Sequence, residues 1–78
     1  MTNLERARTL VANVLRIPAD RIEPGTSLSD VAQLDSLSLV EIASALDEEF
    51  DIRVPSDTLA TARTLENIVT IIEGCPPR

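Results

Sequence analysis

Proline does the most to limit what this chain can fold into. It stands at positions 18, 24, 55, 76 and 77. Proline lacks a backbone N–H and its ring clashes with the turn before it, so a helix does not run smoothly through it. Room for helix remains before Pro18, between Pro24 and Pro55, and between Pro55 and Pro76.

The apolar pattern fills those windows. Leu4, Ala7, Leu10, Val11, Val14 and Leu15 recur at three- and four-residue intervals, which predicts one helix from about Asn3 to Arg16. Thr2 and Glu5 have the spacing of a capping box, and Pro18 is read as the stop. From Ile17 to Leu34 the periodicity fades, and Pro, Gly, Ser, Thr and Asp mark a long connection. Loops this long are usually functional or tied down, and Ile17, Ile22, Leu28 and Val31 are the expected tethers.

A second helix is predicted to begin near Asp35–Ser36, both good N-cap residues. Leu39, Ile42, Ala43, Leu46 and Phe50 form its inward stripe. Leu37, Val40 and Ser44 fall on another edge. Glu41, Asp47, Glu48, Glu49 and Asp51 make the polar face. Ser56 and Asp57 are placed to cap a short turn through Ala60. Thr64 is placed to cap a last helix with Leu65, Ile68, Val69 and Ile72 inward, ended by Gly74.

The expected fold is all-α: a small four-helix bundle of three main helices and one short helix, with a long loop between the first two. The 78 residues suffice for one domain, 1–78, with residues 73–78 read as a short tail. A domain of this size buries roughly 60% of its surface. The apolar fraction is 44%, with one Phe and no Trp or Tyr. Such an aliphatic core suits a helical bundle better than a sandwich of strands.

Charge narrows the partners. Thirteen acidic residues face seven basic ones, for a net charge of −6. That argues against nucleic acid and against anionic membranes, and it points to partners with a basic patch. Residues 26–55 hold seven acids against Arg53 alone, so the second helix is the expected docking face. The chain has no His, no spaced acids of a calcium loop and no glycine-rich phosphate loop. Neither an enzyme nor a metal site is expected. The single Cys75 cannot form an internal disulfide, which fits a reducing compartment, and residues 1–16 resemble neither a signal peptide nor a membrane span. A cytoplasmic monomer is the expectation, with Cys75 an incidental thiol able to link dimers in air.

Asp35-Ser36-Leu37 is the one candidate site. A serine in the first turn of a helix, after a long loop, is exposed where free N–H groups and the helix dipole favour an anion. No His exists and no Lys is near to activate it, so the serine is a recipient rather than a self-activated nucleophile. On the tripeptide alone, plain helix capping by Asp35 and Ser36 is the simpler reading.

The longer context is more specific. Leu34 to Pro55 reads LDSLSLVEIASALDEEFDIRVP, with Asp-Ser-Leu, then Val40-Glu41-Ile42, then Leu46-Asp47-Glu48-Glu49-Phe50, then Ile52-Arg53-Val54-Pro55. Pro24-Gly25-Thr26-Ser27-Leu28 and Thr64-Leu65-Glu66-Asn67-Ile68 flank it. This ordered set resembles the acyl carrier protein family over nearly the whole chain.

The resemblance implies that Ser36 receives 4′-phosphopantetheine from coenzyme A through a phosphopantetheinyl transferase. The arm's thiol would then carry acyl thioesters between acyl-loading and acyl-processing enzymes. Asp35 and Leu37 would flank the cofactor. Leu37, Val40 and Glu41 would form the edge partners read, with Asp47, Glu48 and Glu49 its acidic end. Ile42, Leu46, Ile68 and Ile72 would line a pocket for the acyl chain. Gln33-Leu34, Ser38, Ser44 and Ala62-Arg63 depart from the family's usual residues, which suggests a specialised pathway rather than general fatty-acid synthesis. An aminoacyl or peptidyl carrier is the alternative. Leu34-Asp35, where peptide carriers commonly have Gly-Gly, argues against it.

Overall fold

A computed structural model describes residues 2–77. Four helices follow in order: α1 (Asn3–Leu15), α2 (Ser36–Phe50), α3 (Ser56–Leu59) and α4 (Leu65–Gly74). The described residues contain no strand, only isolated bridges between Ser27 and Thr64 and between Ile52 and Pro77. Among the described residues no helix is long and apolar enough to cross a membrane.

The helices pack through the stripes the sequence laid down. α1 lies against α2 and α4, and α3 bridges α2 and α4. Ala7, Val11 and Ala12 of α1 meet Ile42, Ala43 and Leu46 of α2 and Leu65, Ile68 and Ile72 of α4 in one buried cluster. Ile22, Leu28, Val54 and Leu59 close it from the connections. Two of the four expected loop tethers, Ile22 and Leu28, are thus fully buried, and Ile17 and Val31 pack half-buried against the cluster. Leu39, Phe50 and Val69, read as inward, are half-buried at its edge.

The helix ends differ from the sequence reading in instructive ways. α1 stops three residues before Pro18: Arg16 turns left-handed at φ 59°, and the Ile17 N–H bonds back to the Ala12 carbonyl at 3.0 Å. A residue before proline avoids helical backbone, so the turn is made earlier than the proline itself. α2 ends the same way, with Asp51 at φ 54° and the Ile52 N–H on the Asp47 carbonyl at 3.2 Å. Of the Thr2–Glu5 capping box, the Thr2 half is present, its Oγ1 accepting from the Glu5 N–H at 3.2 Å.

α4 carries a full box instead. Thr64 accepts from the Asn67 N–H, and Asn67 Oδ1 accepts from the N–H groups of Thr64 and Arg63. Ser56 and Asp57 do not cap α3. Pro55 stands at the cap, as suits a residue that has no N–H to satisfy, and the other two lie inside the helix.

The long connection is not featureless. It contains two turns of 3₁₀ helix, Ala19–Arg21 and Leu28–Asp30. It is fastened to the start of α4 by the Leu28 N–H on the Arg63 carbonyl at 2.8 Å and the Glu66 N–H on the Pro24 carbonyl at 3.2 Å. At the other end, α4 runs through Gly74, two residues into the segment read as tail. The Arg53 N–H then holds the Pro76 carbonyl at 3.2 Å.

Candidate functional site at the start of the second helix

The first turn of α2 separates the roles of its first two residues. Asp35 is the N-cap: its backbone is extended, and its carboxylate accepts from the Ser38 N–H at 2.8 Å. That bond is the main reason its carboxyl is held below the usual carboxylate range. Ser36 is the first helical residue and is exposed. Its hydroxyl makes no hydrogen bond among the described residues, so capping, the simpler reading of the tripeptide, applies to Asp35 and not to Ser36.

This arrangement also revises the electrostatics expected at the helix start. The Ser38 N–H, a donor that could have met an anion on Ser36, is already taken by the Asp35 carboxylate. A phosphate on Ser36 would sit next to that negative charge and would need part of its compensation from elsewhere.

A groove of about 210 Å³ opens beside the hydroxyl, lined by Ser36, Leu39 and Val40 of α2 and by Ser56, Asp57 and Ala60 in and after α3. The α3 side of this groove was not foreseen from the sequence. It depends on how a four-residue helix docks, and no local spacing reports that.

The predicted docking residues divide. Leu37 is 66% exposed and Val40 49% exposed, large values for apolar side chains. With Glu41, Ser44 and Glu48, all exposed, they follow one stripe of α2 at three- and four-residue steps. Asp47 is not on this face. It is half-buried, and its carboxylate accepts from the Val54 N–H at 2.7 Å, fastening the chain that leaves α2. Glu49 is also engaged, paired with Arg6 of α1 at 2.8 Å. Arg6 further donates to the Glu49 carbonyl at 2.8 Å and lies 4.4 Å from the centre of the Phe50 ring. Glu41 and Glu48 are therefore the acids that the stripe leaves free.

The four residues expected to line an acyl pocket do come together. Ile42, Leu46, Ile68 and Ile72 are each at most 5% exposed and close on one another in the core. The cavities we describe are lined by other residues. One of about 420 Å³ lies between Arg53, Pro55, Thr58, Ile71, Cys75 and Pro76. Cys75 is a free thiol, but it is half-buried against the core rather than loose in a tail, and burial, with Asp47 nearby, pushes its pKa up.

The geometry defines a class first: a small helical domain that presents one unengaged serine hydroxyl at the tip of an acidic helix. A family model described as "Phosphopantetheine attachment site" matches residues 5–72. A curated relative, "Acyl carrier protein" of Thermobifida fusca (strain YX), is 30% identical over 70 residues, covering 90% of this chain and 89% of its own. The chain belongs to the phosphopantetheine-attachment family of acyl carrier proteins, and its cofactor is covalent 4′-phosphopantetheine. The exposed, unengaged Ser36 hydroxyl fits such a group. When bound, the cofactor supplies a flexible arm ending in a thiol that holds acyl groups as thioesters.

Proposed function

We propose that Ser36 is the attachment residue and that the protein carries acyl intermediates between enzymes without catalysing their chemistry. The observation that carries this reading is the Ser36 hydroxyl itself, exposed at the first position of α2 and making no hydrogen bond among the described residues. In the transfer, Ser36 Oγ forms a bond to phosphorus, the pyrophosphate link of coenzyme A breaks, and the adenosine half leaves with the electron pair. The Ser36 proton goes to a base on the visiting transferase, because the chain has no His and its basic side chains are all Arg.

Partners are then recognised through the exposed stripe. Leu37 and Val40 offer apolar contact beside the arm, and Glu41 and Glu48 offer charge to a basic patch. Asp35 and Leu37 flank the attachment point. Ser38 in place of a common acid and Ser44 in place of a larger apolar residue support a specialised acyl pathway over general fatty-acid synthesis. A cytoplasmic, monomeric protein agrees with a lone, half-buried cysteine.

The test is intact mass after incubation with coenzyme A, magnesium and a broad-specificity phosphopantetheinyl transferase. The wild type gains one phosphopantetheine and Ser36→Ala gains none. An unchanged wild-type mass, or a loaded Ser36→Ala, sinks the reading. Efficient replacement of a housekeeping carrier in a reconstituted fatty acid synthase would overturn the specialised role.

A further inference from the structure

A further cavity, of about 420 Å³, shares Ala60 with the groove at Ser36 and is polar where the others are apolar. Ser27, Ser29, Thr61 and Arg63 line it over a floor that includes Leu34 and Ala60. Ala60 also lines the groove that holds Ser36, and Leu34 directly precedes Asp35-Ser36, so the two hollows adjoin.

The walls are fixed. The Leu28 N–H bonds the Arg63 carbonyl at 2.8 Å, Ser27 is bridged to Thr64, and the Arg63 N–H is held by Asn67 Oδ1 at 3.0 Å. Within it the donors can be counted. The Thr61 hydroxyl is spent on the Thr58 carbonyl at 2.7 Å. Ser27 and Ser29 share one hydrogen bond at 2.9 Å, which uses one of their two hydroxyl protons and leaves the other. The Arg63 guanidinium makes no hydrogen bond or ion pair among the described residues. What remains on the lining residues is an unengaged guanidinium and one hydroxyl proton, the donor set of an anion site.

Resting on the carrier reading of Ser36, we infer that Arg63, with the Ser27–Ser29 pair, is the counter-site for the phosphodiester that attachment creates. The need for one is local. Attachment adds a negative charge beside Asp35, whose carboxylate already holds the Ser38 N–H, in a chain of net charge −6. Arg63 is the cation lining the adjoining cavity. It supplies the positive charge that the Asp35 carboxylate cannot.

The experiment compares apo and loaded protein by mass, by ¹⁵N and ¹H spectra and by ³¹P spectra, for wild type, Arg63→Gln and Arg63→Lys. Loading is expected to shift the Arg63 Nε–H and Ser29 amide signals of the wild type. In Arg63→Gln the loading shift at Ser29 is lost and the ³¹P signal moves from its wild-type position. Arg63→Lys retains part of both. Because Arg63 is exposed, circular dichroism should show the variants equally helical. A loaded wild type with silent Arg63 and Ser29 signals, or a loaded Arg63→Gln with an unmoved ³¹P signal, overturns this inference alone. A wild type that gains no mass overturns it together with the carrier reading.

Discussion

Single residues at the helix ends set how local charge and strain enter stability. The Asp35 carboxyl is held below its ordinary value, chiefly by the Ser38 N–H. A carboxylate depressed in the folded state contributes stability that is complete above its unfolded pKa, about 3.9, and is lost as pH falls through the lower folded value. Following the Asp35 side-chain carbonyl carbon by NMR should place its midpoint below that of a free Asp. In Asp35→Asn the acid limb of the stability curve should be shallower. A midpoint at or above the ordinary value would show that the cap bond is not held in solution. Arg16 and Asp51 take left-handed backbone with a Cβ present. Arg16→Gly relieves that strain and should raise the urea midpoint, by about 0.5–1 kcal/mol of stability, because the site is exposed and the Arg16 side chain makes no bond among the described residues. Asp51, of a residue type that tolerates this backbone better, should gain less from the same change.

Elements are joined here by side chains reaching backbone, and Asp47 is the clearest instance. Its carboxylate takes the part-buried Val54 N–H at 2.7 Å and so sets the path from α2 toward α3. Asp47→Ala leaves that donor unpaired and should cost about 1–3 kcal/mol in chemical denaturation. Asp47→Asn keeps an acceptor and should cost clearly less. Equal losses would mean that charge rather than the bond matters. The pair also serves as a control for docking: partner affinity that falls in Asp47→Ala but not in Asp47→Asn reports the fold, whereas loss in Glu48→Gln reports recognition. The Arg6 contact with Glu49 and Phe50 links α1 to the end of α2. With both charged side chains a third or more exposed, it adds at most about 1 kcal/mol and weakens with salt.

For the whole molecule, charge and core are separated. The apolar stripes of three helices meet inside, and Glu41 and Glu48 stand free along one exposed stripe of α2 in a chain of net charge −6. Association with a transferase should therefore slow steeply as ionic strength rises, with the dissociation rate changing less, as stopped-flow mixing would measure. A salt-independent association rate would remove the basic-patch partner from the account. The main helices were legible in the sequence because their period and caps are local: Thr64, Leu65, Ile68 and Ile72 report α4 within ten residues of one another. The start of α2 at Asp35–Ser36 was legible for the same reason. Asp47 was misassigned because an exposed acid and an acid reaching Val54 look the same in a helical pattern. The groove under α3 and the polar cavity at Arg63 were hidden because the first joins two separate segments of the chain and the second three. Neither wall has a period to read.

The seating of Cys75 has a practical consequence for anyone assaying this protein. Thiol reagents attack the thiolate, and a half-buried thiol with a raised pKa forms little of it near neutral pH. The chain has no other cysteine. A colorimetric thiol reagent at neutral pH should thus react slowly with the unloaded chain and gain one fast equivalent on loading. Occupancy and thioester formation could then be followed by simple absorbance, with no need to mutate the cysteine first.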